Sequence, residues 1–160
     1  MSEIYDDDYE PEYDMPSEPD RQEIARYHED ASRGDVDSIY MLGHTYHAHR
    51  DYNLALLYLK QAAKEGSVQA CLLIADMYEY GDGVQRDPGA RLKWLESAGD
   101  LGDVGAMIDA AALHYHGDSN YIYPDQQQAI LWLRKAAKFD VEKAEEALGY
   151  YDSIVASDIF

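Results

Sequence analysis

The chain has 160 residues, with 32 acids against 13 bases and a formal charge of -19. The length suits one domain of ordinary size. The charge argues against direct binding to nucleic acid, whose phosphates require Lys and Arg, and against an anionic membrane surface. What remains is solubility or a basic partner. Hydrophobic residues make up 46% of the chain, enough for a core, and aromatic content is carried by 15 Tyr against 2 Phe and 2 Trp. The one cysteine, Cys71, has no internal partner for a disulfide, which favours a reducing compartment. The chain opens on acids without a basic-then-apolar leader, and no apolar run approaches the roughly 18 to 20 residues of a membrane helix. The expected location is therefore cytoplasmic.

Residues 1–20 hold nine acids, no Lys or Arg, and three of the five prolines. Self-repulsion and proline both oppose helix, and little apolar surface offsets the ordering entropy. This segment reads as a disordered acidic arm, and residues 21–160 as the folded domain. Tyr5, Tyr9 and Tyr13 recur every four residues, so they share one face if the arm folds as a helix on a partner. Two readings of the arm stand: a docking segment, in trans or on its own domain, and a solvated tail.

From residue 21 the pattern turns helical. Residues 21–33 read as a lone leading helix. A repeat then begins, anchored on Ser38, Ala70, Ala106 and Ala144, spaced 32, 36 and 38 residues apart. Five residues after each anchor comes a small residue: Gly43, Ala75, Ala111 and Gly149. Later in each unit comes an aromatic-Leu pair (Tyr58-Leu59, Trp94-Leu95, Trp132-Leu133), followed by a small pair ending in Ala63, Ala98 or Ala137. Small residues allow a neighbour to approach, and the aromatic fills the gap between units. Such a helix pair buries its apolar face only by stacking. Gly66 and Gly102 follow second helices, where a left-handed cap is expected. Asp87-Pro88 suits an N-cap followed by proline at the first helical position, and Pro124 is expected to play a similar part. Residues 141–155 read as a trailing helix, with Ile154, Val155, Ile159 and Phe160 sealing the last layer or serving as a recognition motif.

The run ACLLIADMYEYGDGVQRDPGARLKWLESA, residues 70–98, resembles a Sel-one-like repeat, the Ala-rich relative of the tetratricopeptide repeat. Tyr78, Gly81, Gly83, Val84, Asp87, Ala90 and Trp94 carry the likeness. Residues 106–137 match through Gly117, Ala129, Trp132, Ala136 and Ala137, but residues 119–125 replace the usual Gly-Val turn. The unit at 38–66 lacks the Gly-x-Gly-Val loop and turns instead through residues 47–53. The resemblance, covering about residues 25–150, implies an all-α fold: a right-handed α/α solenoid of antiparallel helix pairs, about three repeats plus capping helices. It also implies a non-catalytic scaffold or adaptor, as in signalling regulators, quality-control complexes and bacterial immunity proteins. Secreted members pair cysteines within repeats, which this chain does not.

Charge placement suggests where a partner sits. No Lys or Arg occurs in residues 34–49, 65–85 or 96–133, whereas Lys60, Lys64, Arg91, Lys93, Arg134, Lys135 and Lys138 fall on second helices. The resemblance places first helices on the concave face, which is then acidic to neutral. The candidate partner-binding residues are Tyr40, Met41, His44, His47, Leu73, Asp76, Glu79, Tyr80, Asp109, Ala112 and Tyr115, together with Tyr5, Tyr9 and Tyr13 of the arm. The alternative for many of them is packing between units. The expected ligand is a basic protein surface or a Lys/Arg-bearing peptide, most sharply a toxin or effector neutralised by an immunity or inhibitor protein. Two other readings are an acidic mimic of nucleic acid that blocks a DNA-binding protein, and metal-dependent activity through His44, His47 and His49 with His114 or His116. No cofactor is expected. Cys71 lies between apolar neighbours and reads as a small buried hydrophobe, and neither phosphate-binding glycine pattern occurs.

Overall fold

The computed structural model describes residues 18–118 and 121–148. Within them are eight helices: α1 (Glu18–Ser32), α2 (Val36–Ala48), α3 (Tyr52–Lys64), α4 (Val68–Tyr80), α5 (Pro88–Asp100), α6 (Val104–His116), α7 (Gln126–Ala137) and α8 (Val141–Leu148). Among the described residues the only strand-like feature is an isolated antiparallel bridge between Asp118 and Ile122. Tyr5, Tyr9, Tyr13, Ile154, Val155, Ile159 and Phe160 lie outside the described residues.

Most helices begin in the same way. The side chains of Asp35, Asp51, Ser67, Asp87, Asp103 and Asp125 each accept the backbone N–H three residues on. Asp140 does the same for Lys143 at the start of α8. Each satisfies an orphan donor, and each aspartate sets negative charge at the positive end of a helix dipole. Six aspartates therefore serve to start helices.

Two readings from sequence differ from the structure. The leading helix starts at Glu18 rather than residue 21, because Pro19 falls in the first turn, where a missing N–H is no loss. The trailing helix begins at Val141 as read from sequence, and residues 149–155 lie outside the described residues. Pro124 does not open α7 as Pro88 opens α5: it precedes the N-cap Asp125 and packs on Gly117, where an added Cβ would sit 2.9 Å from its Cδ. Gly66 and Gly102 do take the left-handed conformation, with φ of 93° and 103°.

Helices pair as α2 with α3, α4 with α5 and α6 with α7, and the pairs stack through α3–α4, α5–α6 and α7–α8, with α1 against α2. Trp94 packs against the cores on both sides of it, around Leu59 and Ile74 and around Leu95 and Ala98. Trp132 joins the remaining layers, touching the clusters of Ala98, Leu133 and Met107. Small residues make room. A Cβ on Gly43 would lie 2.6 Å from Leu59 Cγ and 3.0 Å from its backbone N, and one on Gly99 would lie 2.9 Å from Trp132.

First helices touch at two steps of the stack (α2 with α4, and α6 with α8) though not comparably between α4 and α6, while among the described residues second helices make no comparable contact with each other. The stack therefore curves with first helices inside.

An exposed helical Gly gains about 1 kcal/mol when replaced by Ala, from backbone entropy. Gly43→Ala should instead lose stability, since overpacking costs about 1–3 kcal/mol. Gly105→Ala, whose Cβ meets only the Asp103 carboxylate at 3.3 Å, should be neutral or stabilising. Urea unfolding of both variants checks this contrast.

Candidate functional site

Each first helix leaves one stripe uncovered. On α2 the exposed residues are Asp37, His44 and Ala48; on α4 they are Gln69, Asp76 and Tyr80; on α6 they are Gly105, Asp109 and His116. The spacing of seven and four residues places each trio on one helical face. The three stripes lie side by side on the inner curve. Tyr80 is 73% exposed, the most open aromatic among them.

The other residues named from sequence sit lower. Tyr40 and Leu73 are half-buried against the core of the first repeat, and Ala112 and Tyr115 against that of the third. Met41 is also half-buried. His44 is exposed, 5.9 Å from the Tyr40 ring. His47 is tied down, with Nε2 3.0 Å from Asp82 and its ring against Tyr52. That contact joins the first repeat to the loop of the second, a loop so close that a Cβ on Gly83 would overlap Tyr52. His114 pairs likewise with Glu96 at 2.8 Å. Among the described residues no three His, Cys, Asp or Glu side chains are disposed to hold a metal ion. Cys71 is buried, and desolvation pushes its thiol above the ordinary value, away from the reactive thiolate.

The inner face is not purely acidic, and here the sequence reading needs correction. Arg91 belongs to second helix α5, yet its guanidinium reaches the first-helix layer and pairs with Glu79 of α4 at 3.0 Å. It also acts electrostatically on Asp76 of α4 and Asp109 of α6. One arginine thus links the carboxylates of two adjacent repeats. Its Nε is buried without a hydrogen-bond partner among the described residues.

Arg91 does not neutralise the cluster. Asp76 is raised above its ordinary carboxylate value, first by desolvation and then by Glu79, with Arg91 and His47 opposing. Asp109 is raised too, by desolvation ahead of Glu79, Asp103 and Asp76, with Arg91 opposing. Both carboxylates touch solvent by area, but the concave wall around them displaces part of the bulk water that would solvate the charge. Their charged form is therefore disfavoured in the folded chain. Between the ordinary value and the raised one, the folded chain binds more protons than the unfolded chain. Stability then falls as pH rises through that window. Asp76→Asn and Asp109→Asn should raise the melting temperature at about pH 7 and leave it nearly unchanged at about pH 3, where the carboxyls are already protonated. Thermal unfolding at the two pH values measures this.

The comparisons agree with this geometry. The Sel1 repeat family matches residues 36–67, 68–103 and 104–138, whose boundaries coincide with the three stacked helix pairs. A Sel1 repeat protein from Oxalobacter formigenes superposes with a TM-score of 0.67 at 25% identity, covering 81% of this chain and 99% of that one. Among structures that show the fold alone, c5321, a protective antigen present in uropathogenic Escherichia coli strains, gives 0.66 at 21% identity over 92% of this chain and 34% of its own. Helicobacter pylori cysteine rich protein B gives 0.58 at 20% identity over 79% and 92%. Chitin synthase regulator SKT5 of Saccharomyces cerevisiae is 33% identical over 92 residues, 57% of this chain and 13% of its own length. Sel1 repeats are generally non-catalytic scaffolds for protein–protein interaction. With three tandem repeats matched and the solenoid built from them, this chain belongs to the Sel1 repeat family.

Proposed function

We propose that the inner face of the first helices binds a protein partner through a basic surface or a Lys/Arg-bearing segment. The observation that carries this reading is the trio Asp76, Glu79 and Asp109 gathered around a single arginine, with two carboxylates whose ionisation the fold opposes. Charge kept where it destabilises the free chain is a mark of a binding site. A cation from a partner would supply what Arg91 provides only in part. Tyr80 beside the trio offers area, few rotors and a polar tip, as interface anchors do. His44 extends the face toward the first repeat.

The role this supports is that of an adaptor or regulator. A curated relative regulates an enzyme, as its name states. The sharper form is an immunity or inhibitor protein that occupies the basic site of a toxin or effector. A nucleic-acid mimic is the weaker reading. Six aspartates serve as helix caps and do not form a phosphate-like row. We place the protein in a reducing compartment, the cytoplasm, on its unpaired Cys71. Among the described residues no helix is long and apolar enough to cross a membrane.

Affinity capture with the full chain tests the site. Reversal of Asp76, Glu79 and Asp109 to Lys should abolish recovery of a partner that the parent chain retains, and raising salt should weaken the parent's binding. Undiminished recovery by the triple variant contradicts the inner-face reading. Competition by DNA for the same partner would move the assignment to the mimic.

A further inference from the structure

Acids outnumber bases by 32 to 13 in this chain, so every lysine has carboxylates to choose from. Arg26, Arg33, Arg86, Arg91, Lys135 and Lys143 all find an acid. The side chains of Lys60, Lys64, Lys93 and Lys138 make no ion pair or hydrogen bond among the described residues. All four belong to second helices or their ends, on the outer side of the curve. These unpaired lysines thus lie on second helices or their ends, away from the Asp76, Glu79 and Asp109 cluster of the first-helix face.

Two of these lysines flank a cavity. Lys60 and Lys64 stand one turn apart on α3 at a groove of about 380 Å³ between α3 and α5. Trp94 and Cys71 line it with Leu101, which is 46% exposed. Leu57, 58% exposed, continues the lysine stripe one turn back along α3. Asp100 also borders the groove, but its carboxylate is bound by Lys135 of α7. The groove therefore offers two free cations beside an aromatic and aliphatic lining, and fits an acidic segment that carries aromatics.

Such a segment is attached next door. Helix α1 borders α3, with the His28 and Tyr58 rings 5.6 Å apart. Seventeen residues precede α1, and they hold seven acids, no base, and Tyr5, Tyr9 and Tyr13. Extended, they span up to about 56 Å. The groove lies within the length of α3, about 20 Å, and one helix spacing of about 10 Å. The segment thus reaches it while α1 stays wound. The inner face repels the segment, since Asp76, Glu79 and Asp109 carry its own sign. We propose that residues 1–17 dock within the same chain on the α3–α5 groove, with acids against Lys60 and Lys64 and tyrosine against Trp94. The domain would then present two recognition faces, an inner one for basic partners and an outer one occupied by its own arm.

Zero-length carbodiimide cross-linking of the full chain tests this, using an equal mixture of unlabelled and ¹⁵N-labelled protein read by mass spectrometry. The expected products join Lys60 or Lys64 to acids of residues 1–17 within one isotope label, and Lys60→Glu with Lys64→Glu removes them. Links only of mixed label would assign the groove to a second copy and overturn the proposal. So would links that run from the segment to Lys138 or Lys143 instead, or the absence of any link. Both lysines are exposed and Glu is an equal helix former, so the variant keeps its fold. In that variant the amide resonances of Tyr5, Tyr9 and Tyr13 should move toward random-coil positions. Unchanged resonances would equally overturn it.

Discussion

Trp94 and Trp132 each fill a space that no single helix pair encloses. Trp94 touches the cores of two repeats, and Trp132 ties the later layers together across Gly99, where a side chain would collide with its ring. The indoles lie on second helices, and the residues that admit them are small. This wedge-and-gap arrangement makes stacking the source of the core. It also sets the curvature. Second helices are held apart by large side chains and leave grooves between them, while Gly43 and Ala111 let first helices close on Leu59 of α3 and on Ala129 and Leu133 of α7, and each first helix turns one stripe toward the inside. The proposed binding face and the proposed arm site are the two sides of that asymmetry.

Acidity has three uses in this domain. Six aspartates start helices, where their charge opposes the positive dipole end and satisfies a donor. Others join repeats through side-chain pairs, as Asp82 does with His47, Glu96 with His114 and Asp118 with Arg86. A third set, Asp76 and Asp109 with Glu79, faces the inner curve beside Arg91, and within it Asp76 and Asp109 resist ionisation. The first two uses explain acids through the fold. In the third, Glu79 holds Arg91, but Asp76 and Asp109 carry charge that the free chain disfavours, which is why the functional reading rests there.

Much of the architecture was legible because a repeat states its packing more than once. The anchors from Ser38 to Ala106, the aromatic-Leu pairs and the small residue five positions on all describe one contact seen from several units. Placement of lysines on second helices was legible for the same reason. Arg91 was not: its helix could be read from sequence, but the direction of a long side chain at the edge of α5 depends on rotation about the helix axis. The same uncertainty hid the half-burial of Tyr40, Leu73 and Tyr115. Of the helix caps, sequence reading names Asp87, whereas the sixteen-residue spacing of Asp35, Asp51 and Ser67, and of Asp87 and Asp103, also marks four others.

The central claim is that the inner stripe of first helices is the partner-binding face. Amide shift mapping of the full chain with a Lys/Arg-rich peptide examines it residue by residue at low salt. The account predicts perturbations centred on Asp76, Tyr80 and Asp109 and fading as salt is added. Perturbations confined to second helices α3, α5 and α7, or to residues 1–17, would contradict it.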